Sequence, residues 1–222
     1  MNILLFGATG MVGQGVLREC LLADDVKSVL TLGRSSSGQH HPKLRELLHS
    51  DLFDYSAIES ELRGFDACFF CLGVSAAGIS EAEYTRLNHD LTLAAAQTLA
   101  RLNPEMTFIY VSGAGTDSTE QGRTKWARVK GKTENDLLRL PFKSVYLFRP
   151  GVIQPLYGAR SKTTSYRVFY TILKPVLSLL RALLPNVILT TEVIGQAMLT
   201  VARHGAAKSV LETSDINAVS EK

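Results

Sequence analysis

Short apolar runs alternate with amphipathic stretches along the first 150 residues of the chain. Apolar runs bounded by turn residues favour strands, and apolar positions that recur every three or four residues favour helices. The pattern predicts strands at 2–6, 28–32, near Asp51, 65–72, 106–112, 144–148 and 209–212. It predicts helices at 11–23, 43–48, 56–62, 80–102, 124–140 and 191–203. Strands that alternate with helices indicate a parallel sheet covered by helices on both faces.

The length of the chain limits the number of domains. Its 222 residues correspond to one large domain or two small ones, and no linker, repeat or low-complexity tract divides them. We therefore predict a single α/β domain over residues 1–222, built on a doubly wound parallel sheet. Residues 152–189 change to a mixed loop and helix pattern, and we expect them to form a small helical insertion on the substrate side.

Composition and charge exclude several classes of protein. Hydrophobic residues make up 45% and charged residues 20% of the chain, as in ordinary globular proteins. A net charge of +3 is too small to indicate a nucleic-acid partner. The basic residues within 123–132 are accompanied by one Trp as their only aromatic platform, so a solvated helix face is the better interpretation of them.

The three cysteines are too few for a disulfide framework and indicate a reducing compartment, for which we expect the cytoplasm. Cys68 and Cys71 form a CxxC, which in principle could be half of a zinc or redox site. We favour a buried strand instead, because positions three apart on a strand point to opposite faces and no second CxxC follows. His40 and His41 lack an evident third ligand, so we predict no metal.

The chain shows no sequence signature of a membrane span. Its first residues are apolar without a basic leader region, which favours a strand over a signal peptide. The apolar region at 166–189 is interrupted by Arg, Lys and Pro residues. Basic residues among aromatics leave two interpretations of 160–184, a peripheral membrane contact and a helix that lines a pocket or a dimer interface.

Three glycines follow the first predicted strand, in the segment GATGMVG. In this context Gly7 permits a tight turn, Gly10 lets a pyrophosphate approach the backbone, and Gly13 lets the next helix pack close to the sheet. The helix N-terminus then offers free N–H groups to the phosphates. The segment predicts a dinucleotide site, with a purely structural turn as the alternative.

Arg34 stands at the end of the second predicted strand, where no carboxylate is present. NAD-binding proteins usually place Asp or Glu there for the ribose 2′-hydroxyl, whereas an arginine suits a 2′-phosphate. The residue favours NADP as the cofactor, with NAD as the second choice. An ordinary solvated arginine is the alternative interpretation.

At this point the chain resembles the atypical short-chain dehydrogenase/reductase superfamily, whose members bind NAD(P) on a Rossmann-type sheet. The resemblance rests on GATGMVG, YVSGAG, WARVKGKTE and FRPGVI, in this order, and covers about residues 1–155. The chain is especially similar to the Tat-interacting-protein branch and to bacterial proteins labelled nucleoside-diphosphate-sugar epimerases.

The resemblance implies a role for individual residues. The residues implied for the pyrophosphate loop are Gly7, Thr9, Gly10, Met11, Val12 and Gly13. Those implied for the adenosine half are Arg34 at the 2′-phosphate, Asp51 and Leu52 at adenine, and Cys71, Leu72 and Gly73 at the ribose. Those implied for the nicotinamide half are Lys130 at the ribose, and Pro150, Gly151 and Val152 at the carboxamide. Ser112 is implied as the hydroxyl that polarises the substrate.

Two departures from the family pattern concern catalysis. Trp126 occupies the position of the catalytic tyrosine, four residues before Lys130, and an indole has no titratable proton near neutral pH. Gly113 stands where many relatives carry their catalytic serine. We predict that Trp126 faces the nicotinamide side, because positions four apart share a helix face. Alternatively, Trp126 begins the buried stripe of its helix.

These observations leave three functions open. The first is an NADP(H)-binding oxidoreductase-like protein acting on an unknown small carbonyl or alcohol. The second is a non-catalytic NADPH-binding regulator or assembly factor, which Trp126 favours. The third is a sugar-nucleotide epimerase, disfavoured because only about 70 residues follow Gly151. The sequence leaves the small-molecule substrate and the oligomeric state undetermined.

Overall fold

The computed structural model describes residues 1–160 and 188–221. The strands are β1 (Asn2–Phe6), β2 (Ser28–Gly33), β3 (Leu44–Leu48), β4 (Ala67–Phe70), β5 (Thr107–Val111), β6 (Ser144–Arg149), β7 (Val152–Gln154), β8 (Ile188–Thr190) and β9 (Val210–Glu212). Seven of them form one sheet in the order β3-β2-β1-β4-β5-β6-β9, and every neighbouring pair is parallel. β7 and β8 form a separate parallel pair.

The α-helices are α1 (Met11–Leu22), α2 (Glu81–Thr85), α3 (Leu91–Leu102), α4 (Lys125–Leu137), α5 (Thr191–His204) and α6 (Thr213–Ser220). A π-helical turn, Arg86–Asp90, joins α2 to α3, and a 3-10 helix spans Ser56–Leu62. The predicted helix at 80–102 is therefore confirmed as one continuous helical stretch with a wider turn in its middle.

Two hydrophobic cores lie on opposite faces of the sheet. One core contains buried side chains of α1, α5 and α6, and the other contains those of the 3-10 helix, α3 and α4. The doubly wound α/β sheet predicted from the sequence is thus confirmed. Cys68 packs in the second core and Cys71 against the first, as the strand interpretation of the CxxC required.

The third strand of the sheet corrects two expectations. The segment predicted as a helix at 43–48 is β3, paired with β2, and the strand expected near Asp51 is a loop. The error has a physical cause: Leu44 packs on one core and Leu47 on the other, as residues three apart on a strand must. Read without the sheet, the same spacing is typical of one face of a helix.

The C-terminal part of the chain holds elements that the pattern did not predict. Helix α6 and the β7–β8 pair were missed, whereas the helix predicted at 191–203 and the strand predicted at 209–212 are confirmed as α5 and β9. β7 and β8 form the two ends of the predicted 152–189 insertion. Its interior, and with it nearly all of the segment considered for membrane contact, lies outside the described residues. No described helix combines the length and apolar character that a membrane span requires.

Candidate cofactor-binding cleft

A cleft of about 400 Å³ opens at the carboxyl ends of β1, β2 and β4. β1 is flanked there by β2 on one side and β4 on the other, so the loops after these strands leave in different directions and a crevice remains between them. A second chamber of about 330 Å³ adjoins the cleft and shares part of its lining, namely Arg34, Leu52, Leu72, Gly73 and Val74. The two cavities form one elongated binding region across the sheet edge.

The glycine loop after β1 is too crowded for side chains at two positions. Gly7 has a φ of +80°, and a Cβ added there would lie 2.7 Å from the carbonyl carbon of Cys71. A Cβ added at Gly13 would lie 2.0 Å from the Gly7 carbonyl oxygen. The two glycines therefore allow the start of α1 to lie directly over the end of the sheet.

The N-terminus of α1 is arranged to receive an anion. Gly10 is its N-cap residue, no side chain caps the helix, and its first turn contains no acidic residue. The Gly10 N–H is used within the loop, where it donates to the Gly7 oxygen at 2.9 Å. Backbone N–H groups at the start of a helix and the helix dipole both favour a phosphate. A glycine cradle and an uncapped helix end fit the pyrophosphate of a dinucleotide.

Two guanidinium groups line the second chamber. Arg34 follows β2 and lines both cavities, and Arg86 lies over the ring of Phe53 with 4.8 Å between its guanidinium carbon and the ring centroid. The carboxylate of Asp51 accepts the Phe53 N–H at 2.9 Å, which helps to hold this loop. The chamber therefore combines apolar walls with positive charge, which suits a base that carries a phosphate nearby.

Lys130 lies behind the wall of the cleft. Its side chain is buried, and its Nζ donates to the phenol oxygen of Tyr110 at 2.8 Å. A Cβ added at Gly73, which lines both cavities, would lie 3.4 Å from this Nζ. Burial lowers the pKa of Lys130 from 10.5 to about 8, against the opposing effect of Glu134. The Lys130 ammonium therefore lies directly against Gly73, a residue of the cleft wall, although Lys130 itself lines neither cavity.

The loop after β4 is held beside Lys130 by Asn88. This buried residue of the π turn accepts the Val74 N–H on its Oδ1 at 3.2 Å and donates from Nδ2 to the Tyr84 oxygen at 3.1 Å. Its Oδ1 would lie 3.1 Å from a Cβ added at Gly73. The Asn88 amide therefore ties the π turn to the loop that forms the cleft wall.

The hydroxyl of Ser112 is turned into the protein. Its Oγ donates to Glu134 at 2.5 Å and lies 3.2 Å from the Phe148 carbonyl oxygen. Glu134 is only 1% exposed and forms a two-point ion pair with Arg149. Because its only hydrogen is donated to a buried carboxylate, Ser112 in this arrangement has no hydrogen to offer a substrate.

Trp126 is half-buried in the first turn of α4 and belongs to neither hydrophobic core. Its ring lies beside Gly115, where an added Cβ would be 3.6 Å from the indole Cη2. The fully buried side of α4 begins further on, with Val129 and Thr133. These positions argue against the interpretation of Trp126 as the start of the core stripe. Its orientation toward a nicotinamide stays a prediction.

Most of the residues implied by the resemblance line the cleft. Those that do are Gly7, Thr9, Gly10, Met11, Val12, Arg34, Asp51, Leu52, Cys71, Leu72 and Gly73. Those that line neither cavity are Gly13, Ser112, Lys130, Pro150, Gly151 and Val152. Pro150 is nevertheless tied to the loop after β5, because its oxygen accepts the Ala114 N–H at 2.9 Å. The binding roles of all these residues stay predictions.

The sequence analysis missed several lining residues. They are Ala8, Thr31, Leu32, Gly33, Ser35, Leu48, Ser50, Phe53, Val74, Ser75, Arg86, Leu87 and Leu91. Those next to predicted strand ends were accessible to the rule that ligands bind at the carboxyl ends of parallel strands. Arg86 and Leu87 carried no such indication, because they lie on the π turn, and Arg86 is placed at the chamber by its contact with Phe53 of the loop after β3.

The cleft contains one thiol, that of Cys71, among its lining residues. Cys71 is a free thiol at the cleft, and burial raises its pKa to about 12. The thiol is therefore protonated and a poor nucleophile at neutral pH. Among the residues that the structure describes, no three His, Cys, Asp or Glu side chains are grouped so as to hold a metal ion.

Comparison with known proteins identifies the family. The model of the NAD dependent epimerase/dehydratase family matches residues 3–129, which include the glycine loop, Arg34 and the lining of the cleft. The chain belongs to this family, and the Rossmann-type, NAD(P)-binding interpretation of the sequence is confirmed.

Similar proteins and structures agree with this assignment. Protein FMP52, mitochondrial, of Saccharomyces cerevisiae is 31% identical over 73% of this chain and 69% of its own length. FMP52-2, mitochondrial, of Scheffersomyces stipitis is 28% identical over 72% of this chain and 69% of its own length. The Bordetella bronchiseptica enzyme WbmF in complex with NAD⁺ has a TM-score of 0.68 at 15% identity and covers 99% of this chain and 77% of its own. UDP-glucose 4-epimerase of Thermotoga maritima has a TM-score of 0.67 at 16% identity, with 96% and 76% covered.

The names of these relatives correct the expected location. The FMP52 proteins of three fungi are named mitochondrial, so the expectation of a cytoplasmic protein is overturned. The expectation rested on sparse, unpaired cysteines. Reduced thiols indicate a reducing environment, which does not by itself single out the cytoplasm.

The lowered pKa of Lys130 predicts how stability depends on pH. Between pH 8 and 10.5 the unfolded chain holds a proton on this lysine that the folded chain has lost. Folding stability contributed by Lys130 therefore rises with pH across this window, by an order-of-magnitude total of about 3 kcal/mol. We expect the free energy of unfolding to increase from pH 8 to 10.5 in the native protein relative to Lys130→Met. Urea titrations of both proteins measure this difference, and parallel curves would contradict a buried lysine of low pKa.

Proposed function

We propose that this protein binds NADP(H) in the cleft and acts through cofactor binding rather than through hydride transfer. The Gly10 loop and the start of α1 would hold the pyrophosphate, and Arg34 the 2′-phosphate. Lys130 would hold the nicotinamide ribose. The bound cofactor would supply a nicotinamide at the ends of β5 and β6. A function without hydride transfer, as in a regulator that binds NADPH, is supported by one observation above all: the Ser112 hydroxyl donates its hydrogen to buried Glu134.

The preference for NADP over NAD is supported by the charges around the chamber. Arg34 and Arg86 both line it. Against them stand Asp51, whose carboxylate also lines the chamber and accepts the Phe53 N–H, and Glu83, which lies 3.6 Å from Arg86. Glu46 is engaged by the hydroxyls of Ser36 and Ser37 and is not a lining residue. A ribose 2′-hydroxyl gains most from an acidic partner, whereas a 2′-phosphate gains most from guanidinium groups.

Hydride transfer to a carbonyl is disfavoured by two described residues that would have to donate the proton, Ser112 and Trp126. Reduction of a carbonyl requires an acid near the substrate oxygen. Ser112 is bonded to Glu134, and Trp126 cannot release a proton near neutral pH. Thr116, the next hydroxyl along the loop, donates to the Gly113 oxygen at 2.7 Å. Ser112, Thr116 and Trp126 therefore do not offer a proton to a substrate in this arrangement.

An oxidoreductase acting on a small carbonyl or alcohol is the second candidate. It is favoured by Lys130, because a buried lysine with a pKa near 8 at the cleft wall is the kind of group that active sites use. In that case the proton added to the substrate oxygen would have to come from Lys130 or from the substrate itself, because α4 carries Trp126 instead of a tyrosine.

The cofactor preference is tested by an arginine variant. We expect the native protein to bind NADPH about 10-fold or more tightly than NADH, because a charge-assisted hydrogen bond contributes about 1.5–3 kcal/mol. Arg34→Ala removes this preference while leaving NADH affinity nearly unchanged. Isothermal titration calorimetry with both cofactors measures it. The exposed Arg63→Ala is the matched control, since it changes net charge equally. Equal affinities of the native protein for the two cofactors would contradict the proposal.

The choice between regulator and oxidoreductase is tested by turnover. We expect the native protein to leave NADPH unoxidised in the presence of a panel of small aldehydes and ketones, since Ser112 is bonded to Glu134 and Trp126 has no titratable proton near neutral pH. Trp126→Tyr places a phenol four residues before Lys130 and is expected to create or raise reductase activity. Oxidation of NADPH is followed by absorbance. Carbonyl-dependent turnover by the native protein at about 1 s⁻¹ or faster would establish the oxidoreductase instead.

A further inference from the structure

Tyr110 is a fully buried phenol that the site described above does not otherwise use. It lies on β5 with its side chain in the core beneath α4, and its oxygen accepts a hydrogen bond from Lys130 Nζ at 2.8 Å. The same Nζ lies 4.8 Å from the centroid of the Tyr110 ring. Both the oxygen and the ring face of Tyr110 thus stabilise the ammonium.

The ammonium of Lys130 has unused hydrogens on the side of the cleft. A protonated lysine carries three N–H donors, and within residues 1–160 and 188–221 Tyr110 is its one hydrogen-bond acceptor. The Nζ lies directly behind Gly73, whose missing Cβ would be 3.4 Å away. Lys130 itself lines neither cavity, and its remaining N–H donors adjoin the cleft at Gly73, a residue of both linings.

We propose that Tyr110 is a positioning residue for cofactor binding, which holds the Lys130 ammonium at the Gly73 wall in its charged form. The proposal rests on the proposed function, because the ligand that would accept hydrogen bonds from Lys130 is NADP(H), through its ribose hydroxyls. Tyr110 touches neither cofactor nor substrate. It acts by stabilising the charged ammonium relative to the neutral amine. The ammonium keeps two N–H donors and a positive charge for the ligand.

The surroundings leave Tyr110 as the main contact of this lysine. Glu134, one turn further along α4, favours the charged form as well, but its carboxylate is bonded to Arg149 and Ser112. Tyr84 of α2 acts on Tyr110 rather than on the lysine. The other charged groups that face α4 from neighbouring helices are paired elsewhere, Glu81 with Arg128 and His89 with Asp136.

The phenol stays neutral over the pH range in which the lysine titrates. Burial raises the pKa of Tyr110 well above its usual value, and Tyr84 and Glu134 add to the effect. A neutral phenol oxygen accepts from an ammonium more strongly than from an amine. Loss of this oxygen is therefore expected to lower the pKa of Lys130 by about one unit.

The experiment compares two phenols on neighbouring strands. Tyr110→Phe removes the oxygen that faces Lys130. Tyr146→Phe, on β6, removes a partly buried oxygen that accepts the Ala206 N–H at 3.1 Å and is the control for the loss of a phenol hydrogen bond away from Lys130. NMR of ¹³C-labelled lysine side chains gives the Lys130 midpoint without cofactor, and calorimetry gives NADPH affinity from pH 7 to 10. Tyr110→3-fluorotyrosine weakens the acceptor without changing its shape and replaces Tyr110→Phe if that variant does not fold.

We expect the Lys130 midpoint near pH 8 in the native protein and in Tyr146→Phe. In Tyr110→Phe we expect it about one pH unit lower, because the ammonium loses its hydrogen-bond acceptor. In the native protein, NADPH affinity falls about tenfold as Lys130 loses its proton. In Tyr110→Phe the same fall occurs at the lower pH at which Lys130 titrates in that variant. In Lys130→Met the affinity does not fall over this pH range. An unshifted Lys130 midpoint in both Tyr110 variants would overturn the proposal, as would a shifted midpoint with an unchanged affinity profile. A native protein that fails to bind NADPH while Lys130 shifts as expected would refute the proposed function, and the cofactor role of Tyr110 with it.

Discussion

The close approach of the turn after β1 to the end of β4 is the constraint on which the cleft depends. An added Cβ at Gly7 would lie 2.7 Å from the backbone of Cys71, and one at Gly13 would lie 2.0 Å from the Gly7 oxygen. Without side chains at these two positions, α1 begins directly above the sheet edge, with its free N–H groups between the loops of β2 and β4. The phosphate site proposed for the cleft rests on this backbone arrangement and requires few side chains.

Helix α4 supplies the polar half of the site through two buried residues, Lys130 and Glu134, one turn apart. Lys130 is bonded to Tyr110 of β5, and Glu134 to Ser112 and to Arg149 of β6. Breaking either pair would leave a charge buried without its partner, which is costly, so the two contacts fix how α4 lies against the sheet. The Glu134 contact also occupies the Ser112 hydroxyl, and the Tyr110 contact holds the Lys130 ammonium next to Gly73.

The parts of the site that the sequence predicted are those set by local backbone geometry. Gly7, Gly10 and Gly13 imply a turn and a helix start wherever they follow a strand, and Arg34 follows from its position after β2. The pattern failed where one spacing serves two structures, as in β3, whose Leu44 and Leu47 pack on opposite faces of the sheet.

The contacts that decide the chemistry lay beyond sequence reasoning. Glu134 and Arg149 come from different elements, and nothing in their order along the chain shows that they hold Ser112. The pairing of Tyr110 with Lys130 likewise depends on how far α4 is rotated toward β5. Arg86 lies on the π turn and lines the second chamber, where its guanidinium covers the Phe53 ring.

A crystal structure of the NADPH complex tests the central claim most directly. The account predicts a pyrophosphate over the start of α1 and a 2′-phosphate within about 3 Å of the Arg34 guanidinium. It predicts Lys130 on the nicotinamide ribose and Ser112 still bonded to Glu134. A cofactor bound with its 2′-phosphate in solvent, or a Ser112 hydroxyl rotated from Glu134 toward the nicotinamide, would contradict it.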